Sequence, residues 1–471
     1  MDWQAVAEPL QWLVLAYFAG LNLMFIALNL LALRVIGDDG PTRLLAGLPA
    51  FSAGLEPGIS VVVPAYNEAA TIAASVRSML QLDHPDFEVV VVNDGSKDDT
   101  LEVLKAEFDL QPFPEAYRIA VPVQPVRGIW RSTLHPTLRV VDKAHGGRAD
   151  ALNAGINAAR HGLFCAVDAD SVLQRDSLKR VARPFMEDAR VIACSGTVRI
   201  ANGCTVSQGF VAEVDVPRNG LARVQVVESL RAVLFGRLGW SPLNALLIGF
   251  GAFGLFRRTT VIDAGGYRSS TIGEDMELVA RLHRLHRLAG TPYRIVGLPD
   301  PICWTEAPET LAALKTQRVR GQHGLMASLW ANRALLGHRK GGAVGWLAFP
   351  AVLVFEGLGP AIELAGYVVM ALLFATGQIS GPAFLAFLLL VVGLGLMLSA
   401  SALLLEALSF RLYPKKRHLA QLLGAMLIEN LGYRQLETWW RFVGLARWAT
   451  GRPARSGAMP RRGVGTPGSR P

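Results

Sequence analysis

Long apolar runs at both ends of the chain are the feature that most limits its fold. Residues 10–36 carry no charged side chain until Arg34, and residues 381–409 form a second apolar run. A helix of about 20 apolar residues crosses the hydrocarbon core of a bilayer, so each run is long enough for one crossing. Because Asp2 and Glu8 precede the first run and no Lys or Arg does, we expect an uncleaved helix with Arg34 on the cytoplasmic side rather than a secretory signal.

The segment that precedes the second run is apolar but interrupted. Residues 345–377 contain Pro350 and Pro360, and proline inside a helix breaks or kinks it. The sequence therefore predicts a kinked span here. We place it, together with residues 381–409, in a C-terminal membrane region of residues 336–450.

The last part of that region, residues 418–448, allows two interpretations. It begins apolar but continues with several charged residues, so it either crosses the membrane or lies in its interface. A crossing would leave the basic tail, 451–471, outside, against the positive-inside tendency. We favour an interfacial amphipathic helix with Trp439 and Trp440 at the headgroup level, and we expect the Gly-, Pro- and Arg-rich tail to be disordered.

The net charge of +9 is concentrated beside these apolar segments. Four cations follow the second run and five lie in the tail, namely Arg411, Lys415, Lys416, Arg417, Arg452, Arg455, Arg461, Arg462 and Arg470. Contact with anionic lipid headgroups accounts for this placement, and a solvated tail is the alternative for residues 451–471. The charge distribution therefore indicates a lipid bilayer as partner and no nucleic acid.

Between the apolar ends, residues 57–335 alternate β-branched runs with helical patterns. The runs are ISVVVPAY, FEVVVVND, LRVVD and LFCAVDAD. This alternation predicts an α/β domain with a mostly parallel, Rossmann-like sheet, carried by residues 1–56 as an N-terminal helix and linker. The Pro-rich segment 111–136 breaks the pattern, and we predict a surface excursion there. The four cysteines lack metal-ligand spacing, which indicates reduced residues of a cytosolic domain.

Polar residues follow three of the predicted strands at the point where each strand ends. Ligands of open parallel sheets bind beyond the carboxyl ends of the strands, so these residues are expected to meet in one crevice. Each ending taken alone also fits an ordinary turn. The residues are Pro64, Tyr66 and Glu68 after the first strand, Asp94 after the second, and Asp168 and Asp170 after the fourth.

Asp168 and Asp170 have the spacing of side chains on one face of a strand. Two carboxylates on one side repel each other unless a cation lies between them or one is protonated. A hard divalent ion such as Mg²⁺ or Mn²⁺ removes the repulsion and commonly binds substrate phosphates. The pair therefore predicts a metal–diphosphate site, although the tripeptide is short and common.

Three further stretches are candidates for the same crevice. The Gly-Gly pair before Arg148 precedes a helix and, with Lys143, suits a phosphate; a plain glycine turn is the alternative. Glu274 and Asp275 open another helix, either as favourable charges for the helix dipole or with Asp275 as a general base. Arg320 lies before the membrane region, either to bind a diphosphate or as juxtamembrane charge.

Taken in order, these motifs resemble those of inverting family-2 glycosyltransferases. The likeness covers about residues 58–330 and is greatest to the membrane-integrated branch, which includes cellulose, hyaluronan and poly-N-acetylglucosamine synthases. The motifs are Val-Pro-Ala-Tyr-Asn-Glu, Asn-Asp-Gly-Ser, Gly-Gly-Arg-Ala-Asp-Ala-Leu-Asn, Asp-Ala-Asp, Gly-Glu-Asp and Gln-Arg-Val-Arg.

The resemblance implies a GT-A-like fold and a role for each position. Tyr66, Glu68 and Asp94 would hold uridine, and Lys143, Arg148 and Asp150 would lie along the ribose and diphosphate. Asp170, with Asp168, would bind the metal. Asp275 would be the general base with Glu274 beside it, and Gln317 and Arg320 would contact the diphosphate. The segment Gly249–Gly254 resembles the family's loop near the acceptor.

One position departs from the family pattern, which usually reads Gln-x-x-Arg-Trp. Gly321 stands where the family has Trp, so the chain lacks an aromatic platform for an acceptor sugar at this position. Trp330 lies nine residues further on and need not replace it. This departure bears on polymer synthesis more than on sugar transfer.

From these motifs we expect a multi-pass enzyme of the cell membrane with a cytoplasmic catalytic domain. It would transfer a hexose or N-acetylhexosamine from a UDP-sugar to a glycan or lipid acceptor, with inversion. A non-catalytic subunit of a polysaccharide assembly or export complex is the alternative, and a nucleotidyltransferase of similar fold is the weaker one. The sequence identifies no export or assembly partner.

Overall fold

The computed structural model of the protein describes residues 3–45, 56–207, 209–407 and 412–453. Most of the predicted linker, the cation Arg411 and the tail from residue 454 lie outside these ranges. Within them the chain is a mixed α/β structure with apolar helices at both ends, as the sequence predicts.

Ten strands of the described chain form one sheet in the order β3-β4-β5-β2-β1-β6-β11-β8-β12-β7. Its centre, β5-β2-β1-β6, is parallel throughout and consists of the four runs that the sequence predicts as strands. The strands are β1 (Ile59–Ala65), β2 (Phe87–Asn93), β3 (Leu110–Pro112), β4 (Val126–Ser132), β5 (Leu138–Lys143), β6 (Leu163–Val167), β7 (Val172–Leu173), β8 (Val191–Ile200), β9 (Thr205–Ser207), β10 (Phe210–Glu213), β11 (Phe253–Arg257) and β12 (Arg294–Thr305).

Helices cover both faces of this sheet, which explains the β-branched composition of its strands. Val62 of β1 belongs to the apolar core on one face, and its neighbours Val61 and Val63 belong to the core on the other. The helices are α1 (Trp3–Leu45), α2 (Ile72–Leu80), α3 (Thr100–Phe108), α4 (Arg148–Ala158), α5 (Ser177–Glu187), α6 (Gly220–Ala232), α7 (Arg258–Asp263), α8 (Glu274–Ala289), α9 (Leu311–Ala331), α10 (Phe349–Ala351), α11 (Gly359–Ala375), α12 (Gly381–Leu388), α13 (Leu394–Leu405), α14 (Lys416–Ile428) and α15 (Arg434–Ala449).

The prediction for residues 111–136 is partly wrong. Residues 126–132 form β4, which pairs antiparallel with β5 inside the sheet. Only Ile129 and Ser132 of this strand are buried. Because β4 lies near the edge and is half exposed, its sequence lacks the continuous apolar run that marks the central strands.

Two helical stretches of the described chain are long and apolar enough to cross a membrane, Pro9–Val35 and Gly381–Leu405. A third candidate is the pair Val344–Gly357 and Gly359–Ala375, which meet at a bend of 51°. The bend lies beside Pro360, as the kinked-span prediction requires. These helices agree with the prediction of membrane segments at both ends of the chain.

The segment predicted as one helix, 418–448, is divided into α14 and α15. Gly432 has a φ of 125° at the break, a conformation that glycine adopts readily. Trp439 is half exposed, but Trp440 is only 5% exposed and packs among other protein side chains. Trp440 therefore faces protein rather than lipid, since α15 turns that side chain inward, and its level relative to the headgroups stays a prediction. Whether the segment is interfacial stays a prediction.

Candidate active site

The loops that follow β1 and β2 are joined by short hydrogen bonds. The Asn67 backbone N–H donates to the Ser96 hydroxyl at 3.0 Å, and the Lys97 N–H donates to the Asn67 side-chain oxygen at 2.8 Å. The Glu68 N–H donates to the Thr100 hydroxyl at 2.9 Å. The first two predicted strand endings therefore do meet at one edge of the sheet.

Tyr66 is the exposed aromatic group at this edge. Its side chain is 39% exposed and lies against the His145 ring, with 4.4 Å between the ring centroids. Pro64, one of the predicted site residues, is inside β1 and pairs with Val92 of β2. Tyr66 is thus placed to contact a flat ligand, whereas Pro64 only positions the loop that carries it.

Asp94 is buried and organises the glycine-rich loop after β5. It accepts hydrogen bonds from the Lys143 ammonium at 2.5 Å, from the Gly146 N–H at 3.0 Å and from the Gly147 N–H at 2.8 Å. Gly147 has a φ of 87° immediately before α4, which favours glycine at that position. The glycine pair identified in the sequence is therefore needed for this turn, and Asp94 holds the turn closed.

Lys143 and Asp150 are fixed by protein groups. The Lys143 side chain has no exposed surface, and its ammonium is 2.6 Å from the Asp150 carboxylate and 2.6 Å from the Ala144 carbonyl oxygen. Asp150 also accepts the Gln124 backbone N–H at 3.1 Å. Both side chains thus stabilise the glycine-rich loop, and their predicted position along a ribose and diphosphate stays a prediction.

Arg148, the first residue of α4, connects three motifs that are distant in the sequence. Its guanidinium donates to Asp168 at 2.9 Å, to Glu274 at 2.7 Å and to the Gly251 carbonyl oxygen at 2.7 Å. Burial opposes its charge, but Asp168, Glu274 and Asp275 outweigh burial and raise the pKa of Arg148. One cation therefore holds together the ends of β6 and α8 and the loop before β11.

Asp168 and Asp170 lie in a turn, because β6 ends at Val167 and the Ser171 N–H closes the turn onto the Asp168 carbonyl oxygen at 3.1 Å. The prediction that the two side chains share a strand face is therefore wrong. Both carboxylates nevertheless lie near the Cys303 thiol. Burial raises the pKa of this thiol to about 12, and the charges of Asp168 and Asp170 act in the same direction.

Asp275 lies in the first turn of α8, next to Glu274. Burial and the Glu274 charge raise the pKa of its carboxyl, while Arg148 acts in the opposite direction. A methyl group at Gly251 would lie 3.1 Å from the Asp275 carboxylate, so the glycine-rich loop approaches this carboxylate closely. A half-buried carboxylate with a raised pKa beside a glycine loop has the properties of a proton acceptor.

The second half of α9 is placed relative to the start of α8 by helix packing. The Ser328 hydroxyl donates to the Gly273 carbonyl oxygen at 3.2 Å, and a methyl group at Gly273 would lie 3.2 Å from the Gly324 backbone. Arg320 precedes Gly324 by four residues, about one turn or 6 Å along the same helix face. Arg320 thus lies on the side of α9 that faces the start of α8, and Gln317 lies about one turn earlier.

The sequence does not single out two groups near Asp275. The Gly251 carbonyl belongs to the segment Gly249–Gly254, for which the family resemblance implies only a position near the acceptor. Arg237 is half-buried, and its guanidinium donates to the Gly196 carbonyl oxygen at 3.2 Å. Burial and Arg199 lower its pKa to about 10, while Cys303 and Asp275 act in the opposite direction. No motif marks Arg237, because nothing in its local sequence indicates that it folds towards α8.

Comparison with known proteins agrees with this geometry. Residues 60–209 match the family model described as glycosyl transferase family 2, and residues 163–403, about half of the chain, match that described as glycosyl transferase family group 2.

Curated relatives include two proteins described as poly-beta-1,6-N-acetyl-D-glucosamine synthase. The chain is 26% identical over 279 residues to the one from Staphylococcus epidermidis, which is 58% of this chain and 57% of that protein. It is 28% identical over 267 residues to the one from Staphylococcus aureus strain COL, which is 57% of this chain and 54% of that protein. The match thus spans little more than half the length of these relatives.

Among solved structures, a mannosyltransferase from Pyrobaculum calidifontis, in complex with GDP-Man and Mn²⁺, aligns with a TM-score of 0.52 at 19% identity. The alignment covers 91% of this chain and 99% of that one, and it shows that the two share a fold. The family-model matches, the mixed sheet with its parallel centre and the convergence of the family motifs on Arg148 lead to one conclusion: this chain belongs to the family-2 glycosyltransferases.

Proposed function

We propose that this glycosyltransferase moves a hexose or N-acetylhexosamine from a UDP-sugar to a glycan or lipid hydroxyl group, with inversion at the anomeric carbon. The observation that carries the proposal is the set of Arg148 bonds to Asp168, Glu274 and Gly251. These bonds bring the predicted metal residue beside the helix start that holds the predicted base. The names of the relatives favour N-acetylglucosamine as the sugar.

The nucleotide would lie at the edge of the sheet beyond β1 and β2. Tyr66 offers an exposed ring for the uracil base, and Glu68 and the buried Asp94 lie in the same two loops. In this proposal Lys143 and Asp150 support the glycine-rich turn, since both are held by protein groups. The amide groups of that turn and the start of α4 suit a diphosphate.

A divalent cation fits the chemistry of Asp168 and Asp170. In the described part of the chain no cluster of three or more His, Cys, Asp or Glu residues could hold a metal. A pair of carboxylates is sufficient for Mg²⁺ or Mn²⁺, because such an ion completes its coordination with water molecules and with the phosphate oxygens of a substrate. When bound, such an ion neutralises negative charge on the departing UDP.

Asp275 would accept the proton of the attacking hydroxyl group as the new glycosidic bond forms and the bond to UDP breaks. Its burial raises its pKa and so makes its carboxylate a stronger base than an exposed one. Glu274 and Arg148 fix the start of α8, and Arg320 supplies positive charge towards the diphosphate. The membrane helices would place this site on the cytoplasmic side, where UDP-sugars are available.

The test is release of UDP by purified protein supplied with UDP-N-acetylglucosamine or UDP-glucose and Mn²⁺. Asp275→Asn should reduce the rate by about 100- to 10,000-fold, the usual contribution of a general base. Asp263→Asn, at an exposed aspartate of α7, serves as the matched control and should keep the rate of the unchanged protein. Equal, slow UDP release by the unchanged protein and Asp275→Asn with both donors would contradict the proposal and favour a non-catalytic subunit.

A further inference from the structure

A polar cavity lies at the opposite end of α8 from the candidate active site. It has a volume of about 540 Å³, and its lining includes Arg190, His286, Arg287, Tyr293 and Lys340. His286 is eleven residues from Asp275, which corresponds to about 17 Å along the helix. The cavity is therefore separate from the site proposed for sugar transfer, and a ligand could bind there whether or not that proposal holds.

The cavity collects positive charge with little compensation. No Asp or Glu is among the described residues that line it. Arg190 is paired with Asp188 at 2.9 Å, but neither Arg287 nor Lys340 has a carboxylate partner within the described ranges. Cations held near one another repel unless an anion lies between them. The composition of the lining thus favours an anionic ligand.

Both uncompensated cations are held in place by the fold. The Arg287 guanidinium donates to the Tyr293 hydroxyl at 3.1 Å and lies over that ring, 5.4 Å from its centroid. The Lys340 ammonium donates to the Leu288 carbonyl oxygen at the end of α8 at 3.2 Å. A methyl group at Gly342 would lie 2.9 Å from the Arg287 guanidinium. The loop that carries Lys340 therefore packs directly against Arg287.

The position of this loop indicates which kind of anionic molecule could reach the cavity. The bent candidate span begins at Val344, four residues after Lys340. Trp346 and Leu347 at its start are more than half exposed, and the Trp346 indole N–H donates to the His338 carbonyl oxygen at 3.1 Å. Exposed Trp beside Lys and Arg is typical of the membrane–water interface. The cavity therefore adjoins the start of a segment that is a candidate to enter the membrane.

We propose that this cavity binds the phosphate of an anionic phospholipid headgroup, with Arg287 and Lys340 as its cationic ligands. Phospholipids and soluble phosphate compounds both carry the phosphate group that these cations would bind. We favour the lipid because the cavity adjoins the start of a candidate membrane span. Each basic residue near a membrane surface contributes about 1 kcal/mol to the attraction of anionic lipid. That energy corresponds to about a 5-fold change in affinity for each cation removed.

The experiment measures lipids retained by the detergent-purified full chain, by native mass spectrometry, after exposure to phosphatidylcholine or phosphatidylglycerol. The unchanged protein should retain phosphatidylglycerol preferentially. Lys340→Gln should lower retention about 5-fold, and Lys340→Gln combined with Arg287→Gln should lower it further. Because Arg287→Gln removes a bond to Tyr293, thermal unfolding of each variant is recorded alongside, and Lys340→Gln alone tests the site if the double variant is unstable.

Arg339→Gln is the matched control, since Arg339 is an exposed cation beside Lys340 that does not line the cavity. It should leave the preference for phosphatidylglycerol unchanged. Equal retention of the two lipids by the unchanged protein would overturn the proposal, and so would an equal loss in Arg339→Gln and Lys340→Gln. If inorganic phosphate or UDP displaces the bound lipid at equal concentration, the ligand of the cavity is a soluble phosphate compound. That result would overturn the proposal of a lipid ligand.

Discussion

At the scale of single residues, Arg148 determines how the candidate site is held together. It is the common partner of Asp168, Glu274 and the Gly251 carbonyl. The sequence places a cation at the start of α4, but it contains no information on which acids that cation will meet. The three partners come from separate motifs and are brought together only by the sheet order.

We predict that Arg148→Ala lowers the rate of UDP release by about 100-fold, since small displacements of reacting groups have effects of that size. The charge of Arg148 holds the pKa of Asp275 down. Its removal should therefore raise that pKa further and move the acid limb of the pH–rate profile to higher pH. A pH series of kcat/KM for the unchanged protein and Arg148→Ala measures this shift.

Arg148→Lys is the control that separates the effect of the positive charge from that of the guanidinium hydrogen bonds. Lysine keeps the positive charge but cannot make three bonds in the fixed geometry of a guanidinium. Compared with Arg148→Ala, Arg148→Lys should return the acid limb of the pH–rate profile to its position in the unchanged protein. It should restore only part of the rate of UDP release. A profile that stays unshifted in Arg148→Ala would mean that Arg148 does not act on Asp275.

The raised pKa of Asp275 also has a consequence for stability. A carboxyl whose folded-state pKa lies above its unfolded value binds a proton more readily when folded, so stability falls as the pH rises through that folded pKa. At neutral pH the ionised group therefore costs stability, and Asp275→Asn should unfold at an equal or higher temperature while losing activity. Thermal unfolding in detergent at pH 7 and at pH 4 checks this, because the advantage of Asn should shrink at the lower pH. A lower unfolding temperature at pH 7 would contradict it.

At the scale of elements, the sequence predicts the four parallel central strands and misses others, among them the largely buried β8 and β11 and the half-buried β4. The central runs, such as ISVVVPAY, need apolar side chains on both faces and so are visible as continuous β-branched stretches. Strand β4 has one buried face, and Pro-rich neighbours obscure its pattern. The end of β6 at Val167 agrees with the predicted strand ending, and the turn at Asp168 is the alternative that the sequence leaves open, because Asp is a common turn residue.

Helix α9 connects the candidate site to the membrane region, and Gly321 is the position in it that departs from the family pattern. A methyl group at Gly321 would meet nothing within 4 Å, so the space for a larger side chain exists. Trp330 cannot replace it, since nine residues are two and a half turns and place Trp330 on the opposite face. That ring lies instead against Trp448, with 5.9 Å between the centroids.

We therefore predict that Gly321→Trp folds normally and gains helix stability of up to about 1 kcal/mol, since glycine is unfavourable inside a helix. An aromatic platform here should lengthen the products, because stacking retains an acceptor sugar between transfers. Mass spectrometry of the products from UDP-N-acetylglucosamine measures their length. Gly321→Ala, which fills the helix position without a ring, should change stability but not product length. Equal product lengths in all three proteins would show that this position does not govern chain extension.

At the scale of the whole molecule, the catalytic sheet and the apolar helices share one core. Val62 of β1, Leu28 of α1 and Phe349 of α10 belong to the same cluster of buried apolar residues. The boundaries at residues 57 and 335 were drawn where composition changes, and composition cannot show that helices on both sides pack into the sheet domain. These boundaries stay predictions, but the shared core makes them testable.

A fragment of residues 57–335 should be much less stable than the full chain. It loses Leu28, Val344, Phe349 and Val352, all buried in that core, and each fully buried side chain of this kind stabilises a fold by about 1.5–3 kcal/mol. Because folded domains are stable by only about 5–15 kcal/mol, we expect the fragment to aggregate or to unfold at a clearly lower temperature. Size-exclusion chromatography and thermal unfolding in matched detergent compare it with the full chain.

The control is a chain that ends at Pro453, which keeps every helix and strand of the described structure. It should match the full chain in elution and in unfolding temperature, so that loss of length alone is not the cause of any difference. A soluble, monomeric 57–335 fragment with the unfolding temperature of the full chain would show that the sheet domain does not need α1 or α10. The apolar helices would then act as anchors for an independent domain, and the shared core would contribute little to its stability.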